Sequence, residues 1–107
     1  MRLGRVIGRV TLSQAVPSVT GARWLIVNPL GREQYLQGLE GEVSLSREPS
    51  LVAYDALGGG VGQIIGFVEG REAAVPFASP TPIDAICTAL VDEMFYRPPE
   101  NSGDVKA

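Results

Sequence analysis

Gly4 and Gly8 stand inside the first strand-like run of this chain, Arg2 to Leu12, and limit its architecture more tightly than any other pair of residues. In that run Gly4, Val6, Gly8 and Val10 share one face, while Leu3, Arg5, Ile7 and Arg9 share the other. A glycine weakens a strand through its conformational entropy, so glycine in such a run marks a bend or a close backbone approach. Strong barrel curvature accounts for both. The segments that follow are also short and broken by turn residues. Ser13 to Gly21, with Ser, Pro, Thr and Gly, reads as a loop. Arg23 to Val27 is a compact β run halted by Asn28-Pro29. Gly31 to Ser50 has no sustained period and reads as a long connection, with a short hairpin around Val43 and Leu45. Leu51 to Leu57 alternates again, with Val52, Tyr54 and Ala56 on one face, until Gly58-Gly59-Gly60-Val61-Gly62 interrupts it. Gln63 to Val68 is a further strand ending in a Glu69-Gly70 turn, and Ala73 to Phe77 adds a short extended piece.

One helix is expected after these strands. Thr81 suits its N-cap, Pro82 the first helical position and Asp84 the third, where negative charge favours a helix N-terminus. Ile83, Ile86, Cys87 and Leu90 follow the i, i+3, i+4, i+7 spacing of a buried stripe, with Ala85 and Ala89 on a small-residue face. Val91 to Tyr96 reads as a closing strand ended by Arg97-Pro98-Pro99, and the remainder to Ala107 as a frayed tail. The domain is therefore placed at residues 1–96 and a flexible C-terminal tail at 97–107. The fold class is mainly β: about five strands with one short helix before the last, which a small, strongly bent OB-like barrel closes most naturally.

Composition narrows the function. A chain of 107 residues with 45% hydrophobic content builds one core, not two. The net charge of -3 is mild, and the only lysine is Lys106, so no basic block exists to neutralise a run of phosphates. Cys87 is the only cysteine, which excludes an intrachain disulfide and fits a reducing cytoplasm. The N-terminus lacks the apolar stretch of a signal peptide, and no run approaches the roughly 20 apolar residues of a membrane span. Histidine is absent, which removes the commonest metal ligand and neutral-pH base. No metal or cofactor is expected.

The segments that could carry chemistry have structural explanations. Gly58 to Gly62 precedes a β-like run and has no lysine nearby, whereas a phosphate cradle needs a following helix and a lysine. Positive φ in a tight loop, or packing against another chain, explains the glycines better. Asp55, Glu69, Glu72, Asp84, Asp92 and Glu93 show no spacing that pairs carboxylates beside a nucleophile. Ser13, Ser18, Ser44, Ser46 and Ser79 have no histidine partner. Cys87, on the apolar stripe, reads as a buried structural thiol. Around Trp24 and Phe67 the neighbours are aliphatic, which points to core packing and away from base stacking. These residues on their own describe a small β-barrel that assembles.

Two segments resemble the EutN/CcmL family, the pentameric vertex proteins of carboxysomes and metabolosomes. They are Leu51-Val52-Ala53-Tyr54-Asp55-Ala56-Leu57-Gly58-Gly59-Gly60-Val61-Gly62 and Pro82-Ile83-Asp84-Ala85-Ile86-Cys87-Thr88-Ala89-Leu90-Val91-Asp92. The opening Met1 to Val10 is similar to the family's first strand, and the likeness runs over residues 1–96. The chain departs from the family pattern at Gln63, where an acidic residue is usual, and at Thr81, where a basic one is. The Gly31 to Ser50 connection is also somewhat long. The resemblance implies an OB-like barrel forming a cyclic homopentamer at the five-fold corners of a polyhedral shell, in contact with hexameric shell proteins. A ring of this kind uses heterologous contacts that close on themselves. Gly58, Gly59, Gly60 and Gly62 are the candidate subunit-interface or pore residues. The chain is then a cytoplasmic structural protein and not an enzyme, binding neither nucleic acid nor membrane. The alternative is an OB-type binding module for nucleic acid or a small ligand.

Overall fold

The computed structural model describes residues 1–39 and 43–99. Five strands form a closed barrel: β1 (Arg2–Val10), β2 (Arg23–Pro29), β3 (Leu51–Asp55), β4 (Ile64–Glu69) and β5 (Ala85–Leu90). Around the barrel they run β1-β2-β3-β5-β4, and β4 pairs back onto β1. All neighbours are antiparallel except β3 and β5, which are parallel. This order fits the OB-like barrel expected from the sequence.

Val6, Leu25, Val27, Ala53, Ile65, Phe67, Ala85 and Cys87 fill the interior, each almost fully buried. The tight radius explains Gly4. It sits between Pro29 of β2 and Ile65 of β4, and a Cβ there would lie 2.5 Å from Val27 Cγ1 and 3.1 Å from Phe67 Cε1. Gly8 has a different setting. Val6 pairs with Val27 but Gly8 pairs with Ile26, so Ile7 is an extra residue on β1. That bulge breaks the single face Gly4, Val6, Gly8, Val10 read from simple alternation.

The structure corrects the sequence reading in several places. Residues Thr81 to Leu90 do not form a helix; their second half is β5, inserted between β3 and β4. Thr81 donates its hydroxyl to the Ser79 carbonyl at 3.0 Å instead of capping a helix, and the Asp84 carbonyl accepts the Gly70 N–H at 2.8 Å. The supposed stripe is split: Cys87 is in the barrel interior, while Leu90 is 39% exposed. Second, Val91 to Tyr96 makes no ladder, so the closing strand lies one segment earlier than expected. Third, the one α-helix among the described residues lies elsewhere, in the long connection: α1 spans Arg32–Gln37. The Gln34 side chain accepts the Gly31 N–H at 2.9 Å, and Gly38, at φ +68°, ends the helix. A 3-10 turn at Gly70–Ala74 is the helical piece nearest to β5; it takes in Ala73 and Ala74 of the piece expected to be extended, Ala73 to Phe77, and the rest of that piece is turn and bend. Fourth, Val43 and Leu45 lie outside any strand, and residues 40–42 of the expected hairpin fall outside the described residues. The expected tail likewise falls outside them from position 100.

Candidate assembly site at the glycine loop

The end of β3 organises the loop to β4. Asp55 is the last residue of β3, and its carboxylate has no solvent exposure. It accepts backbone N–H groups from Leu57 at 2.9 Å, Gly58 at 3.1 Å and Gly59 at 2.8 Å. From β2, Arg23 Nε donates to the same carboxylate at 3.2 Å, and Arg23 Nη2 donates to the Gly59 carbonyl at 2.8 Å. One carboxylate and one guanidinium therefore clamp the first half of the loop. Burial pushes the Asp55 carboxyl up, but hydrogen bonds from Leu57, Gly59, Arg23 and Cys87 outweigh it and hold the group below its ordinary value. On β5, burial and then the Asp55 charge push the Cys87 thiol up to about 11, so it is a neutral, inert thiol at neutral pH.

The second half of the loop is tied to β1. Gly62 N–H donates to the Val6 carbonyl and Val6 N–H to the Gln63 carbonyl, each at 2.8 Å. Arg5 Nη1 donates to the Gly62 carbonyl at 2.8 Å. The Gln63 side chain accepts the Gly60 N–H at 2.6 Å, a local role for the residue that departs from the family pattern.

The four candidate glycines lie on this one loop, but for different reasons. Gly58 and Gly62 have φ of +89° and +96°, a region that L side chains rarely adopt. Gly59 is buried, and a Cβ on it would lie 2.9 Å from Leu25 Cδ1. Gly60 has neither constraint: its Cβ would meet only Gln63 Oε1, at 3.6 Å. Beside them Leu57 and Val61 are 50% and 65% exposed, so the loop presents apolar side chains to its surroundings.

Reading the sequence alone missed the clamp, because Arg23 and Asp55 are 32 positions apart. The usable signal was an aspartate followed by glycines, the pattern of a carboxylate that caps its own turn. Glu69, another of the scattered acids, pairs with Arg2 at 2.9 Å. Phe67 is in the core as expected, but Trp24 is on the outer wall, where its ring meets Tyr54 edge-on at 5.8 Å. Phe77 covers Tyr54 in turn, at 5.0 Å.

Residues 1–92 match the family model described as ethanolamine utilisation protein EutN/carboxysome, which covers the entire barrel. The chain belongs to the EutN/CcmL family. Among solved structures, the pentameric microcompartment shell protein GrpN from Rhodospirillum rubrum is similar at 26% identity, with a TM-score of 0.70. The alignment covers 92% of this chain and all of that one, 100%. CcmL from Gloeobacter violaceus is 28% identical over 86% of each chain, with a TM-score of 0.69. The pentameric shell protein of the RMM microcompartment is 25% identical over 92% of this chain and 99% of that one, also with a TM-score of 0.69. No curated protein matches by sequence. In this EutN/CcmL chain, the first motif is β3 with its glycine loop, and the second is the approach to β5 and β5 itself.

Proposed function

We propose that this chain is a structural shell protein whose homopentamer caps the vertices of a bacterial microcompartment. The family match over residues 1–92 carries the reading, since it spans every strand of the barrel. Structural neighbours that are themselves pentameric shell proteins, at 25–26% identity, support it. On this reading the ring lies in the shell of a cytoplasmic compartment, with hexameric shell proteins as its lateral partners, and the chain has no catalytic role. Residues 1–96 make the vertex domain, and 97–107 are its tail. The loop carrying Gly58, Gly59, Gly60 and Gly62 forms part of the subunit contact or of the five-fold opening. Exposed Leu57 and Val61 on a loop clamped from within give it a firm apolar surface. Sedimentation equilibrium of the purified protein tests the reading. A five-subunit species at micromolar concentration is expected, and a monomer or dimer would overturn it.

A further inference from the structure

Phe95, at 84% exposure, is the most exposed large hydrophobic residue among those described. It lies on an extended arm, residues 91–99, whose only strand-like tie to the barrel is the Val91 N–H on the Ile64 carbonyl at 3.0 Å. Asp92 and Glu93 precede it on the same arm, both exposed. At the Arg23 end of β2 is a groove of about 130 Å³, lined by Arg9, Val10, Ala22, Arg23, Trp24 and Leu25. It sets Val10, Ala22 and Trp24 beside Arg9, while the Arg23 guanidinium at its edge is engaged by Asp55 and the Gly59 carbonyl.

We infer that the Asp92–Tyr96 arm of one copy docks in the Trp24 groove of the neighbouring copy, an inference that rests on the ring assembly proposed above. Three observations support it. First, Arg9 in the groove and the acids of the arm are complementary in charge and uncommitted, whereas Arg23 is already engaged by Asp55. Among the described residues, Arg9 has no carboxylate within ion-pair distance, and neither Asp92 nor Glu93 has a cation there. Second, the arm is held away from the groove of its own chain. Tyr96 meets Tyr35 of α1 edge-on at 5.9 Å, and Glu93, Met94 and Phe95 lie beside Gln37, Gly38 and Leu39. The helix follows the Pro29 end of β2, and the groove lies at the Arg23 end, roughly 20 Å away along seven strand residues. Third, the groove adjoins the glycine loop, since Arg23 binds the Gly59 carbonyl. Arm and groove are different surfaces of one chain, which is what a closed heterologous ring requires. Trp and Arg, present in the groove as Trp24 and Arg9, are residue types enriched among those that carry binding energy at protein interfaces.

Native mass spectrometry and circular dichroism on the same samples test this with wild type, Phe95→Ser, Arg9→Glu, Glu93→Arg and the Arg9→Glu/Glu93→Arg double variant. These side chains are exposed in the single chain, so the spectrum of the fold should not change. The expected result is a ring for wild type, loss of the ring in all three single variants, and its return in the double variant. A Phe95→Ser protein as fully assembled as wild type overturns the inference. So does loss of the ring in both charge variants without rescue, because the arm then docks elsewhere. A wild-type monomer removes the assembly reading itself, and this inference with it. A wild-type ring whose Phe95→Ser variant stays intact removes the inference alone.

Discussion

Asp55 combines full burial with negative charge, and its surroundings compensate the cost of that combination. Replacing it with alanine removes the acceptor of three backbone N–H groups and leaves the Arg23 Nε without its carboxylate. The expected loss of stability is about 1–3 kcal/mol by urea denaturation, with faster amide exchange at Leu57 and Gly59. The same carboxyl sets an acid limit. Its folded pKa is depressed below 3.8, so its contribution is present above that value and is lost as pH falls below it. Urea midpoints measured from pH 6 to pH 3 should therefore drop at the acid end, and the drop should be shallower in Asp55→Asn. Cys87 has the opposite sign. Its folded pKa is raised from 9.0 to about 11, so stability is fully present below 9.0 and declines as pH rises toward 11. In Cys87→Ala that alkaline decline should flatten. Gly4 is a purely steric case: Gly4→Ala places a methyl 2.5 Å from Val27 Cγ1 and 3.0 Å from the Asn28 carbonyl oxygen. Overpacking of this kind costs about 1–3 kcal/mol, readable as a lowered thermal midpoint.

β5 separates local preference from the structure as a whole. Its approach reads as a helix start, Thr81-Pro82-Ile83-Asp84, and Ala85 to Leu90 satisfies the helical period as well as it satisfies period two. A short helix is marginal because nucleating it is costly. A strand in the same place pairs with β4 from Ile65↔Leu90 to Glu69↔Ala85 and closes the barrel through β3. An extra residue, Thr88, is absorbed as a bulge where Gly66 pairs with Ala89 and Phe67 with Cys87. The two assignments differ in a measurable way. A helix N-terminus would lose roughly 0.5–1 kcal/mol on Asp84→Ala. In this structure the Asp84 side chain is exposed and only its carbonyl is used, so thermal melts of Asp84→Ala should fall within about 0.5 kcal/mol of wild type. α1 escaped notice for the converse reason: six residues are too few to display a period, and only Gln34 and Gly38 mark its ends.

For the whole molecule, the open question at the glycine loop is which positions serve the chain and which serve the ring. Gly58, Gly59 and Gly62 have reasons within the single chain, and Gly60 has none. Gly60→Val should therefore leave the circular dichroism spectrum and melting unchanged while weakening the pentamer in native mass spectrometry. Full assembly of that variant would make the loop an ordinary surface turn. The sequence by itself determined that the chain is a short β-rich domain with turns at its glycines and prolines. Alternation, punctuation and the missing histidine are local properties that need no three-dimensional partner. It also carried two motifs, near Asp55 and Asp84, that mark the family. Only the tertiary structure decided that 85–90 is a strand, that Ile7 is a bulge, and that Arg23 and Asp55 hold the loop between them. Each of these depends on hydrogen bonds or contacts between residues far apart in the chain. When local preferences for helix and strand are nearly balanced, the barrel's need for a paired fifth strand settles the outcome.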